Sequence, residues 1–573
     1  MTRGALAVLM FAFAASARGQ ESAPPSRPRQ PTALAIAPEG DRAFVANRGN
    51  GSLSVVRLDP PEVLSEAPLG RSLSDLVFKD RGSLVIADEK AHEILVVDPA
   101  RPSEVRKRIA VAPYPVGVRA SNDGRSVFAT SLWSRCVSKV DLETGEQGRL
   151  DLPFAPRALL ALDPAGKLLV ADAFGGNLAV VNLPTWKVDS IRILKAQNIA
   201  ALAVHPDGRR LVISHQNLRK SARSTSDDIH WGFLVAGSLR WLPLDDILDP
   251  SVTDFSGRGR VANLGRPGDG GGDPAGLAIA RDGTAVIAQA GVNQVAIGPI
   301  DEPIATRVAV GARPTAVAIT PDGKAAVVAN AMDDTLQIFD LPRAENVRTL
   351  PIGPPAARTL RDEGERLFFD ARLSQEGWMS CHSCHTEGHT NQALADTLGD
   401  DSYGAPKRVP SLLGVAGTMP LGWNGKVGDL ASQLRKSSQT TMRGRALSEG
   451  EVLALQAYLE SLEPPPSADR LLGRLDAAAV ERGRALFQPR CAGCHPAPSY
   501  TIARTYDVGL ADEDGNTRFN PPSLRGVSQR DAFLHDGRAR DLREVFTVHG
   551  HPGQGDPPSD RELADLLAFL NSL

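Results

Sequence analysis

Residues 31–59 read PTALAIAPEGDRAFVANRGNGSLSVVRLD, and residues 314–342 read PTAVAITPDGKAAVVANAMDDTLQIFDLP. Each runs through an alternating apolar segment, a turn closed by Gly, a second apolar segment, a small polar turn and a third segment. Alternation of Val, Ile, Leu and Ala is strand chemistry, and the Pro-x-Gly turn is hairpin chemistry. The turn glycines count the copies. Gly40, Gly82, Gly124, Gly166 and Gly208 recur every 42 residues, and Gly283 and Gly323 complete a set of seven. Three or four strands at this period make a propeller blade. Seven copies over residues 31–353 predict an all-β, seven-bladed propeller, a ring that hides most of its own strand edges. The interval from Gly208 to Gly283 is longer and reads as an insertion over about residues 217–272, with His230, Trp231, Trp241 and the glycine-rich run 268–272. Long loops on a rigid scaffold often bind something, and as often are only loops.

The chain has 573 residues, a length for three or four domains, and its 42% hydrophobic content suffices for sizeable cores. A net charge of -3 gives no footprint for nucleic acid or for an anionic membrane surface. At the N-terminus, Arg3 precedes an uncharged apolar run over residues 5–15, and Ala15, Ser16 and Ala17 form a small-x-small cleavage site. This is the pattern of a signal peptide over residues 1–17, too short to span a membrane. Residues 18–30 are rich in Pro and Ser and predict a disordered lead-in. The expectation is a periplasmic or otherwise exported protein with no membrane span after cleavage.

From residue 354 the pattern becomes helical, with an amphipathic segment over 358–370. Then come SCHSCH, containing Cys381, Cys384 and His385, and RCAGCH, containing Cys491, Cys494 and His495. Two thiols three apart on a helical turn can add to the two vinyl groups of one haem, and the following imidazole then faces the iron. These four are nearly all the cysteines present; the fifth, Cys136, stands alone in the propeller and reads as a buried structural thiol. A four-cysteine zinc site would use the same thiols but leaves the repeated His unexplained. The flanks repeat too. Gly364, Leu367 and Phe368 precede the first motif as Gly483, Leu486 and Phe487 precede the second. PSLLGVAGTMPLGWNGKVGDL from Pro410 parallels PSLRGVSQRDAFLHDGRARDL from Pro522. Each half ends in an apolar-periodic helix opened by a capping box, Ser448 with Glu451 and Ser559 with Glu562. Two mainly α cytochrome c domains are therefore expected, over residues 354–463 and 475–573, joined by a Pro-rich linker at 464–474.

The sixth iron ligand decides between electron transfer and chemistry on peroxide or oxygen. No Met follows Met442, so the second haem must look to His549 or His551 for a second ligand from its own domain. His535 reads as a hydrogen-bonding core residue. For the first haem the candidates are Met442, Met419 and His389. His389 is too near His385 in sequence to reach the opposite side easily. Either Met442 ligates, or that position is open.

Residues 355–573 resemble the bacterial di-haem cytochrome c peroxidase family. The resemblance rests on ERLFFDARLSQEGWMSCHSCH from Glu365, on LGWNGK around Trp423 and on LHDGRARDL around His535; the N-terminal repeats are similar to YVTN-type propellers. It implies two covalent haems, the first peroxidatic and the second an electron store. It also implies Trp423 as electron relay, Gln433 in the peroxide pocket, and His549 where the family has a Met ligand. The implied partner is an electron-donor or acceptor protein such as a small cytochrome or cupredoxin, with a protein or polymer substrate at the propeller as a further expectation. The chain departs from the family in three places. Thr441 stands where the family has its acid–base Glu, whose loss costs about 10²–10⁴-fold. Asp400 falls near the distal His of many peroxidases, and Arg408 near an Asn that helps bind an interhaem calcium. Peroxide turnover and calcium binding therefore stay open. The alternative is a non-catalytic electron-transfer or redox-sensing cytochrome, both haems six-coordinate, with the propeller as docking module.

Overall fold

The computed structural model describes residues 27–302, 306–553 and 557–573. The expected signal peptide, and the lead-in as far as residue 26, lie outside the described residues. Residues 31–351 form seven antiparallel four-stranded sheets, spanning 31–68, 73–110, 115–151, 156–193, 197–263, 274–309 and 314–351. Their innermost strands contact one another in turn, and Pro314–Ile319 of the seventh blade meets Pro31–Ile36 of the first, which closes the ring. Asp334 fastens this seam by accepting from the Arg29 amide at 2.9 Å and the Gln30 amide at 2.8 Å.

The repeated Val-Ala-Asn phrase has a structural cause. The second strand of each blade carries a buried polar residue near its end: Asn47, Asp88, Ser131, Asp172, Gln216, Gln289 or Asn330. Asn47 donates to Ser52 Oγ at 2.8 Å, Asn330 donates to Thr335 Oγ1 at 3.0 Å, and Asp172 accepts from the Phe174 amide at 3.0 Å. A buried polar group must be paired; Asn47, Asp88, Asp172 and Asn330 fix the turn that follows, whereas Ser131, Gln216 and Gln289 bond to neighbouring segments, at Ala112, Asp273 and Leu264. Cys136 is fully buried in the third blade, and burial pushes its thiol up to about 12.

The long interval holds blade strands between enlarged connections. Two strands of the fifth blade, Val235–Pro243 and Arg260–Asn263, lie within residues 217–272. Only the connections are enlarged, by short helices at Ser226–His230 and Leu244–Leu248.

Each helical domain is built on one crossed helix pair. Leu360–Phe368 packs on Glu449–Glu460, and Ala477–Arg490 packs on Asp560–Ser572. The expected capping boxes form at Ser448 and Ser559. The glycine of the repeated Gly-x-x-Leu-Phe phrase sits at the crossing. A Cβ on Gly364 would lie 1.8 Å from the Ala454 carbonyl oxygen, and one on Gly483 would lie 1.9 Å from that of Asp565. Both obstacles are backbone, so the helices must separate to admit even a methyl group. Gly483→Ala is accordingly expected to destabilise the second haem domain by about 1–3 kcal/mol, seen as an earlier unfolding transition in calorimetry; an unchanged profile would refute the crossing argument.

Candidate haem centres

The first motif forms a single helical turn, Cys381–Cys384, with the His385 amide donating to the Cys381 carbonyl at 2.9 Å. His385 Nδ1 lies 2.9 Å from the Pro410 carbonyl, which holds the ring by one nitrogen and frees Nε2. Cys381 and Cys384 border an apolar cluster containing Leu373, Trp378, Met379, Val409 and Met442. Met442 follows a π-turn at Ser437–Thr441, and such turns recur at functional sites. Its amide donates to Ser437 O at 2.9 Å and its carbonyl accepts from the Gln375 amide at 3.0 Å, so the backbone that carries the thioether is fixed. Gln433 donates to Ser437 Oγ at 2.9 Å within the same segment. Met419 packs in a second cluster with Phe368, Leu430 and Leu455, which Cys381 also borders. His389 is fully buried between Trp133 and Phe174 of the propeller. Its Nδ1 lies 2.9 Å from Ser411 Oγ and its Nε2 lies 3.3 Å from Gln529 O, so both nitrogens are engaged by protein. It is a docking residue.

The second motif borders a cavity whose walls include Phe487, Leu524, Phe533 and Phe546, together with Cys491, Cys494 and His495. His495 Nδ1 lies 3.0 Å from the Tyr500 carbonyl, repeating the orientation of His385. His551 also lines the cavity, and its Nδ1 has no protein partner. His549 is not among the lining residues. Of the two sequence candidates, the structure places His551 at the cavity. Burial lowers both imidazoles, His495 to about 4, so each is neutral and its lone pair is free for a metal. His535 is buried, stacks on Phe519 at 4.3 Å and leaves Nε2 unpaired at the same cavity.

Trp423 lies between the two domains. Its indole donates to the Arg408 carbonyl at 2.8 Å, its own carbonyl accepts from the Asn520 amide at 2.7 Å, and its ring sits 6.5 Å from that of His535. Nearby, the Lys407 ammonium lies 3.0 Å from Asp400 and 3.1 Å from Asp512, bridging the domains. Among the described residues no three His, Cys, Asp or Glu side chains gather as they would around a metal ion. The two cysteine pairs border different cores, which removes the four-cysteine zinc reading. Two thiols, an oriented imidazole and apolar walls fit a c-type haem in each domain, with an unpaired second imidazole at the second cavity.

The propeller holds the first domain. Glu387, two residues past His385, lies 3.3 Å from Arg313, 3.4 Å from Arg157 and 3.8 Å from Arg48. Burial alone would raise its carboxyl; the three guanidiniums outweigh that and hold it well below the usual carboxylate range. The glycine-rich run serves the same contact. Gly270 donates to Glu376 O at 2.7 Å and Gly272 to Gly377 O at 3.1 Å, and a Cβ on Gly270 would meet the Trp378 amide at 2.6 Å. His230 pairs with Glu376 at 2.9 Å, while Trp231 remains exposed. Arg135 binds Asp531 of the second domain. Sequence reasoning missed Glu387, Lys407 and these contacts, because their partners lie far away along the chain.

A propeller bearing two tandem c-type haem domains is the class these features define. Residues 361–463 match the family model described as di-haem cytochrome c peroxidase, and residues 480–573 match that of cytochrome c. The C-terminal part of the chain is thus similar to the di-haem cytochrome c peroxidase family, and its relatives support a haem oxidoreductase. It is 28% identical over 321 residues to methylamine utilization protein MauG of Methylorubrum extorquens, covering 44% of this chain and 89% of the relative. It is 22% identical over 301 residues to cytochrome c551 peroxidase of Pseudomonas aeruginosa, covering 43% and 87%. A chain of the Kuenenia stuttgartiensis hydrazine synthase structure superposes with a TM-score of 0.47 at 19% identity, covering 58% of this chain and 98% of that one.

Removing the Glu387 charge leaves Arg157 and Arg313 without a carboxylate, while Arg48 keeps Glu89 at 2.9 Å. Glu387→Gln is expected to weaken docking by about 3 kcal/mol, read as a lower denaturation midpoint and faster proteolysis between propeller and haem domain. The sign with pH follows from the depressed carboxyl: the contribution is complete above the ordinary carboxylate pKa and fades as pH falls towards the folded value. A variant as stable and protease-resistant as the parent would refute the clamp.

Proposed function

We propose that this chain is an exported di-haem c-type oxidoreductase that moves electrons between a partner protein and peroxide or another substrate. The observation that carries the reading is the pair of oriented proximal histidines, His385 and His495, in separate cores with Trp423 fixed between them. Haem bound at these loops supplies one-electron redox chemistry. Cys381 and Cys384 would attach one group, and Cys491 and Cys494 the other. His385 and His495, each held by a backbone carbonyl, would ligate the irons. His551 would supply a second imidazole at the second site, which suits that site to storing an electron. Trp423 spans the gap between domains and serves as relay. A small cytochrome or cupredoxin is the partner class, as the family relationship implies.

Met442 favours a second reading. It is buried against Cys381 and Cys384, and Thr441 beside it offers no carboxylate for acid–base work. If Met442 caps the first iron, both sites are six-coordinate and the protein is an electron carrier. Gln433, turned to Ser437, points the same way.

Low-temperature EPR of the oxidised protein separates the two. A high-spin ferric signal supports substrate chemistry at the first site, and two low-spin signals support the carrier. His551→Ala is expected to convert the second site to high spin while His549→Ala leaves it low spin; the reverse pattern would assign the ligand to His549. Trp423→Phe is expected to slow electron exchange between the haems, and unchanged interhaem kinetics would remove the relay.

A further inference from the structure

We propose that Asp273, a propeller residue, sets the redox potential of the first haem. Asp273 opens the sixth blade and is 3% exposed. Its carboxylate reaches into the first haem-attachment loop. Ser383, between the two thiols, donates to it at 2.6 Å, and Ser380, which precedes Cys381, donates to its other oxygen. Gln216 of the fifth blade supplies its remaining side-chain bond, at 2.5 Å. All three donors are neutral, so the negative charge has hydrogen bonds but no ion-pair partner among them. Glu387 makes the contrast: it has three guanidiniums within 4 Å. Asp273 also holds a backbone φ of 53°, which L side chains rarely adopt, so the carboxylate is kept at some conformational cost.

A buried, uncompensated charge acts over a long range because little solvent screens it. Held against the loop that binds a haem, a negative charge favours the more oxidised state and lowers the midpoint potential. The second loop has no such device. The positions of Ser380 and Ser383 are taken there by Arg490 and Gly493, and Arg490, at the edge of the cavity, pairs with Glu562 at 3.4 Å. The field is therefore applied to one haem and not the other. Asp273 touches neither substrate nor iron; it is a positioning residue that acts by charge through the loop. The propeller, on this account, takes part in the redox chemistry of the domain it carries.

The test is spectroelectrochemical titration of the full chain loaded with both haems. The wave lost when Cys381 and Cys384 are both replaced by Ala belongs to the first haem. Asp273→Asn is expected to move that wave to higher potential and leave the other in place. Asp273→Ser removes the same charge and demands no extra room, and is expected to act alike should the Asn variant fold poorly. Replacing Ser380 and Ser383 together by Ala keeps the charge and is expected to shift the wave less. A first wave that stays put, equal movement of both waves, or a double Ser380→Ala, Ser383→Ala variant that shifts the wave as far as Asp273→Asn overturns the proposal. The inference rests on the two-haem reading. A parent protein that carries only one haem, counted as pyridine haemochrome, overturns that reading as well, whereas two haems whose waves ignore Asp273 overturn only the proposal.

Discussion

Three guanidiniums from three separate blades converge on one carboxylate of the haem domain. Arg48, Arg157 and Arg313 come from the first, fourth and seventh blades, and they meet Glu387 only because the ring is closed. The seam at Asp334 is thus a precondition for the contact. The contact in turn fixes a backbone segment two residues from His385. A local error in blade closure would reach the iron ligand through this chain of dependence, although no propeller residue is itself a proximal ligand.

Much of the architecture could be read from local signals. The turn glycines counted seven blades, because a tight turn leaves few alternatives to Gly. The capping boxes at Ser448 and Ser559 marked helix starts through two reciprocal hydrogen bonds. The two CxxCH motifs announced haem because the spacing carries the chemistry within six residues. In the fifth blade the strands Val235–Pro243 and Arg260–Asn263 were hidden in the long interval, because the enlarged connections break the Gly-turn rhythm of the neighbouring blades. The choice between His549 and His551 also exceeded sequence reasoning. Both follow the helix Leu542–Thr547, and only the turn after it decides which ring enters the cavity. Glu387 and Asp273 gave no signal at all, since their partners lie in other blades or another domain.

The tandem haem domains share a plan and differ in setting. The first loop is pressed against the propeller, with His382 and Ser383 buried. The second loop faces outward, and Gly493 is exposed. Similar helix pairs, similar glycine crossings and similar proximal histidines are thus placed in unlike surroundings. Duplicated sequence supplies two centres, and the fused propeller supplies the difference between them.

The covered first loop also favours an order in biogenesis. Its outer face, at Ser380 and Ser383, lies against Asp273, and its thiols face the domain core. With that face covered, the first attachment loop is easier to reach before the propeller and the haem domain lock together, although its thiols keep partial exposure; the two centres thus differ in when they are best served.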